Sequence, residues 1–312
     1  MIFDVIGFAA INEDRIRYLG YSVKETEVFS HRPPEELKND EKAFLGGSVV
    51  NTLAGLAKFG FSVATLGKLG NDKIGDRLQT KLKTYGIDFF GGIDEIYNSS
   101  VATIEVGSNK QRKIVIHPGI NDRIEWKDVE PYLELVRSSK LFHSATFACA
   151  YSISSFKTQV KLAEEANKRS LSFGMLYCDL FDKEPTLMEN LLEATDILIL
   201  NEGEVARIGK GTKNYKEAAR TIMKKYNTEI IAVTLGDKGS CVFDENKEHF
   251  IKSRSVNVID TTGAGDAYSA GFLAAYLNGK DLKTCGLWGN RNAENCIETY
   301  GAVDYQIPKK LV

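Results

Sequence analysis

A chain of 312 residues and 34.6 kDa can bury one full core, as a single large domain or one domain with a small appendage. Its 40 basic and 42 acidic residues leave a net charge of −2, which gives no electrostatic reason to expect nucleic acid or an anionic membrane as partner. The cysteines at 149, 178, 241, 285 and 296 are odd in number, widely spaced and without a Cys-x-x-Cys pair, which argues against zinc or disulfide frameworks and for free thiols in a reducing cytoplasm. Residues 1–11 are apolar but carry Asp4 and lack a basic leader, so they read as a first strand rather than a signal peptide. No run approaches the roughly 18 apolar residues of a membrane span. The expected ligand is a small molecule and the expected setting is cytoplasmic.

Ile2–Ala10 reads as a buried strand that delivers Asn12-Glu13-Asp14 just beyond its end, where ligand groups gather in open α/β sheets. Asn12 and Asp14 are placed to hold hydroxyls; an Asx turn with a solvated Asp14 is the bland alternative. From Arg15 to Phe44 there is no helical period, only β-like pieces (Arg15–Leu19, Glu25–Phe29, Ala43–Leu45) around a charged Pro33-Pro34 segment. Ser100–Val106 and Arg112–Ile116 have the same character, and together these pieces predict a small β-sheet lid inserted from about 12–45 and 97–117. Between them Gly46-Gly47 feeds an Ala- and Leu-rich helix that Gly60 ends, and 73–86 forms an amphipathic helix. The rhythm then becomes regular: strand Lys140–Thr146, helix Ser155–Arg169, strand Leu171–Tyr177, helix Thr186–Ala194, strand Asp196–Leu200. Alternating strands and helices imply α/β class, a doubly wound, mostly parallel sheet flanked by helices, with 1–312 as one domain. His117 and His143, single histidines on apolar strands, read as structural. Asn201-Glu202-Gly203-Glu204 follows the apolar Ile197–Leu200, placing polar groups past a strand's C-terminus; an N-cap asparagine with an acidic first turn is the plain reading of that run. Strand Glu229–Thr234, a hairpin around Asp244-Glu245-Asn246 and a final helix of roughly 281–299 complete the order.

The most informative run is Asp260-Thr261-Thr262-Gly263-Ala264-Gly265-Asp266-Ala267-Tyr268. Val256–Ile259 before it reads as a strand end, while Tyr268, Phe272, Leu273 and Tyr276 recur at helical spacing. Gly263, Ala264 and Gly265 form a turn whose small residues let backbone N–H groups approach an anion at the positive end of the helix dipole. A phosphate fits there. Asp266 in the first turn repels such an anion, which makes it a candidate general base beside a transferable phosphoryl group rather than a mere helix-end acid. There is no Gly-x-x-x-x-Gly-Lys-[Ser/Thr] loop and no Gly-x-Gly-x-x-Gly fingerprint to compete for a phosphate.

Asp260-Thr-x-Gly-Ala-Gly-Asp266 resembles the C-terminal signature of the ribokinase-like (PfkB) carbohydrate and nucleoside kinases, and Gly46–Gly60 with Val63–Gly75 is similar to their N-terminal signature. The likeness runs from Asp4 to about Pro308, with the motifs in family order. It implies a kinase that moves the γ-phosphate of ATP to a small sugar, with a nucleoside acceptor as the alternative. In that reading Asp266 is the base and Gly263, Ala264 and Gly265 are the anion hole. Asn12, Asp14, Gly46, Gly47 and Asn51 bind the acceptor. Asn201 and Glu204 organise Mg2+, partly through water, and the phosphates; Thr234 and Gly236 border the phosphates and ribose; Asn290 in the last helix lies near the adenine. The resemblance also implies a monovalent cation such as K+ at Asp260 and Thr262, and a homodimer through the lid. Ser48 stands where ribose-specific members carry lysine, which makes ribose a poor candidate. A non-catalytic sugar or nucleotide sensor on the same fold is the rival class, and the intact Asp266 argues against it.

Overall fold

The computed structural model describes residues 2–307 and 311, apart from 31, 33, 39–40, 110, 146–151, 174–181, 210 and 213. Numbering strands in chain order, the described segments are β1 Val5–Phe8, β2 Asn12–Tyr18, β3 Thr26–Phe29, β4 Lys42–Gly46, β5 Val63–Gly70, β6 Ile87–Asp94, β7 Ser100–Val106 and β8 Arg112–His117. Beyond them lie β9 Leu141–Ala145, β10 Arg169–Ser172, β11 Ile197–Asn201, β12 Ile230–Thr234, β13 Gly239–Phe243 and β14 Glu248–Lys252.

A 9-stranded sheet in the order β14-β13-β12-β11-β10-β9-β1-β5-β6 forms the body. From β12 to β6 every neighbouring pair is parallel, and β13 runs antiparallel to both β12 and β14. Continuous runs such as Ile197–Leu200 are buried throughout, as expected for strands covered on both faces. One face packs on helices Ile153–Glu165, Pro185–Glu193 and Tyr215–Tyr226 through Phe156, Leu192 and Ile222. The other packs on helices Ser48–Lys58, Ala264–Leu277 and Leu282–Ile297 through Leu53, Phe272 and Cys285. This is the doubly wound arrangement expected. From β1 the order runs outward to β5 and β6 and then resumes at β9 on its other side. The chain leaving β1 therefore emerges at a switch point, where open α/β sheets bind ligands.

It emerges into a second, 5-stranded mixed sheet, β3-β8-β7-β2-β4, which is the predicted lid. Its root is bolted to helix Lys73–Thr84. Glu13, fully buried on β2, accepts from Arg15 Nε at 2.9 Å and from Arg77 Nε at 2.6 Å and a second Arg77 nitrogen at 2.9 Å, while Lys81 donates to the Ala43 carbonyl at 2.8 Å.

Several boundaries differ from expectation. Asn12 and Asp14 follow the first strand as expected but lie buried within β2, not in the alternative solvated Asx turn, and β1 is shorter because Asp4 takes the Ser62 N–H instead of continuing inside the strand. Val256–Ile259 is not strand: β14 ends at Lys252, and Val258 is 41% exposed, unlike a residue in a covered sheet. Arg169, expected to end a helix, opens β10, where its guanidinium pairs with Asp196 at 2.8 Å. β6 was not foreseen, since Gly91-Gly92 interrupts its apolar pattern. Pro33, Thr146, the 174–177 end of a predicted strand, Cys149, Cys178 and Pro308 lie outside the described residues. Of the other cysteines, Cys241, Cys285 and Cys296 are free and buried.

Candidate active site

Asp266 enters the site through the first turn of helix Ala264–Leu277. The cap before it, Gly263, has φ 76, a left-handed conformation that costs glycine nothing, and a Cβ there would come within 2.4 Å of the Ala302 Cβ. The turn thus requires a residue without a side chain. Among the described residues no side chain caps this helix start; the Ala264 N–H donates to the Thr261 carbonyl at 3.3 Å, and the N–H groups beside it face the open side of the turn. A Cβ at Gly265 would meet nothing within 4 Å, which marks open space in front of the turn.

The facing wall is the start of helix Ser48–Lys58. Ser48 Oγ donates to Asp266 Oδ1 at 2.6 Å and Asn51 Nδ2 donates to Oδ2 at 2.8 Å. Three residues apart on a helix, the two share one face and grip both carboxylate oxygens. Burial pushes the Asp266 carboxyl up to about 6, while the Ser48 and Asn51 bonds and the charge of Arg112 on β8 hold it from rising further. A carboxylate poised there is mostly ionised at neutral pH yet basic enough to accept a proton. The Asn51 Oδ1 is buried without a partner among the described residues, an acceptor available to a ligand hydroxyl.

Asp14 adjoins this pair. Burial first, then the charges of Asp266 and Glu13, raise it to about 7. Its carboxyl carbon occupies the place of a Gly46 Cβ, which would lie 2.0 Å away, so Gly46 is what admits the carboxylate. Asn12 pairs with Gly46 across the lid strands, and its Oδ1 accepts from Asn121 Nδ2 at 2.8 Å. Asn121 is fixed in turn by the Ile11 N–H and C=O, each at 3.3 Å.

On the other side of the turn lies a cleft of about 670 Å³, lined among others by Thr234, Gly236, Asn290, Thr261, Ala264 and Gly265, within the range of small-molecule sites. Lys252 and Arg254 also line it. Asn290 is oriented by donating to the Ile251 carbonyl at 2.9 Å. Asn201 and Glu204 do not line this cleft; Asn201 pairs with Thr234 across β11 and β12. The two form a capping box, Glu204 N–H donating to Asn201 Oδ1 at 2.9 Å and Asn201 N–H to Glu204 Oε2 at 2.7 Å. Burial nonetheless lifts Glu204 to about 7, with only the Asn201 amide opposing it. A buried carboxylate short of positive charge suits a divalent cation placed alongside. Among the described residues no cluster of three or more His, Cys, Asp or Glu could ligate a metal by itself, so such an ion would need ligands from elsewhere. Asp260, 2% exposed, is fully engaged: Oδ1 accepts from Thr262 N–H at 2.9 Å, and Oδ2 from Gly301 N–H at 3.1 Å and the Tyr18 hydroxyl at 2.8 Å. Burial raises its carboxyl, and these bonds outweigh burial and hold it below the usual range.

The pfkB family of carbohydrate kinases matches residues 21–310. The chain belongs to the PfkB family. This PfkB-family chain is 35% identical over 250 residues to an uncharacterized sugar kinase of Archaeoglobus fulgidus, covering 80% of the chain and 96% of the relative. It is 26% identical over 270 residues to the cytidine kinase of Thermococcus kodakarensis, covering 82% and 88%. Among solved structures, adenosine kinase of Sinorhizobium meliloti matches with TM-score 0.84 at 22% identity, covering 97% of this chain and 96% of that one. A putative ribokinase II of E. coli in complex with ATP and Mg2+ matches with TM-score 0.81 at 17% identity, covering 98% and 96%. These structural likenesses establish a ribokinase-like fold.

The PfkB fold thus gathers Asp14, Gly46, Asn51 and Asp266 at one point and Thr234, Gly236 and Asn290 at another, with Gly263–Gly265 between. Sequence reasoning missed Ser48 as a partner of Asp266, although its spacing from Asn51 carried that signal. Asn121, Arg112 and Tyr18 approach from remote segments and left no local trace.

Proposed function

We propose that this chain is an ATP-dependent kinase that transfers the γ-phosphate to a hydroxyl of a small sugar. The observation that carries the reading is the Asp266 carboxylate, gripped by Ser48 and Asn51 in front of an uncapped helix start. In this reading Asn12, Asp14, Gly46, Gly47 and Asn51 hold the acceptor so that one hydroxyl faces Asp266, which takes its proton as the oxygen attacks. The Gly263, Ala264 and Gly265 amides then meet the charge of the group in flight. Thr234, Gly236 and Asn290 orient the nucleotide, and Asn201 and Glu204 would hold, partly through water, Mg2+ that would supply charge neutralisation on the phosphates. K+ at Asp260 and Thr262 would compete with the donors already bonded to Asp260, so stimulation by K+ is expected to be small.

The choice of a sugar rests on polar groups converging around Asp14 and on the Archaeoglobus relative. A nucleoside acceptor is favoured instead by the half-buried Phe44 and Ile114, packed on the buried lid cluster of Ile16, Ile104 and Val106. Ile16 shares the strand face of Asp14, and Phe44 pairs with Asp14 across β2 and β4. We place the protein in the cytoplasm, consistent with its free buried thiols, as a single α/β domain with the lid inserted from about 12–45 and 97–117. A homodimer would pair through the lid, where β3 is an edge strand with Val28 47% exposed. ADP release over hexoses, pentoses, keto-deoxy sugar acids, inositol and nucleosides tests the reading. Stimulation by a sugar supports it, stimulation by nucleosides alone replaces the acceptor class, and no stimulation by any of them points to a sensor.

A further inference from the structure

We propose that Tyr18 is a positioning residue: its hydroxyl bond to Asp260 ties the lid to the turn that carries the anion-binding amides, so that a seated lid holds that turn in its working geometry. The proposal rests on the kinase reading for its consequence in turnover, and on the geometry alone for the tie itself.

Tyr18 ends β2, the strand that starts with Asn12 and Asp14. Tyr18 is the fourth residue after Asp14, a span of roughly 13 Å in an extended strand, so one rigid segment reaches from the acceptor groups to the far side of the signature turn. There the Tyr18 hydroxyl donates to Asp260 Oδ2 at 2.8 Å. The same carboxylate accepts from Thr262 N–H and Gly301 N–H, at 2.9 and 3.1 Å. It thereby joins the residue before Gly263 to the segment whose Ala302 packs on Gly263. The Tyr18 ring meets Tyr300 edge-on, centroids 4.8 Å apart at 67°, and Lys42 of the neighbouring lid strand lies 5.7 Å from the Tyr300 ring centre. Two lid strands therefore close on the 300–302 segment, and one of them bonds the buried carboxylate that organises it. If β2 swings away, Asp260 loses the one donor that the lid supplies, and the turn is held by the bonds to Thr262 and Gly301.

Two measurements on the full-length protein test this. Tyr18→Phe keeps the ring against Tyr300 and removes only the hydroxyl. Hydrogen exchange of the ligand-free protein is expected to quicken roughly tenfold at the Thr262 and Gly301 amides, with β1 and β11 unchanged as the control for folding. Wild-type exchange at both amides overturns the tie. With an acceptor identified from the panel above, the kcat of Tyr18→Phe should fall roughly tenfold while the KM for ATP stays within about twofold; an unchanged kcat overturns the positioning role. Failure of the wild-type protein to release ADP with any acceptor would sink the kinase reading, and the exchange measurement would still decide the tie.

Discussion

At the scale of single residues, the site is a contest over how much charge a small buried volume holds. Asp266 keeps its negative charge because Ser48 and Asn51 each donate to it, and Asp14 is raised by burial and by the charge of Asp266. Asp266→Asn preserves shape and removes basicity; turnover should drop by roughly a thousandfold, within the usual span for a general base, while calorimetric ATP affinity stays within about threefold. A base must be deprotonated to act, so the rate should fall as pH drops through about 6. Ser48→Ala removes a donor that favours the charged form, and the acid limb of kcat/KM should move toward neutral pH; an unmoved limb would refute the role given to Ser48. Asp14 has a folded-state value raised to about 7 from 3.8, so the stability it contributes is fully present below about 4 and is lost as pH rises through 7. Asp14→Asn should accordingly melt higher than wild type at pH 8, with the gap closing by pH 4.

At the scale of elements, what could be read locally was read and what depends on distant pairing was not. The signature run was legible because strand-like chain, glycine turn and helical spacing follow one another within a short stretch. The lid was legible as an excursion, since Arg15–Phe44 lacks any helical period, but its order β3-β8-β7-β2-β4 was not. That order depends on β2 pairing in parallel with β7, nearly ninety residues onward, which no local pattern encodes. The partner of Asn12 is likewise Asn121, 109 residues away. The Asn201 to Glu204 run shows the opposite case: a helix-capping box and a candidate metal site use the same residue types, and the capping bonds are present. Among the elements, the Gly263 turn is the most exposed to mutation. Gly263→Ala forces a side chain into a left-handed backbone and against Ala302; a stability loss of about 1–3 kcal/mol is expected in urea unfolding, together with loss of turnover.

At the scale of the molecule, the parallel sheet supplies the frame and the lid is a second, separate sheet set at its switch point. The cleft beside Thr234 and Asn290 is walled by the sheet's hairpin edge and the last helix, so nucleotide should bind with the lid in any position. MgATP at about a hundred times its dissociation constant should then stabilise the fold by roughly 2.7 kcal/mol, seen as a raised melting temperature in the absence of any acceptor; no shift would remove the cleft from the proposal. The placement of Asp266 carries a last consequence. Because the proposed proton acceptor and the proposed amide cradle are neighbours in one helical turn, the distance between them is set chiefly by the local geometry of that turn. In the proposed reading most of the selectivity lies in the lid: positions of β2, β4, β7 and β8 other than Tyr18 and Arg112, which act on the Asp260 and Asp266 carboxylates, could change which molecule is admitted with less effect on the step that follows. A lineage with this layout can acquire new substrates by repainting one small sheet.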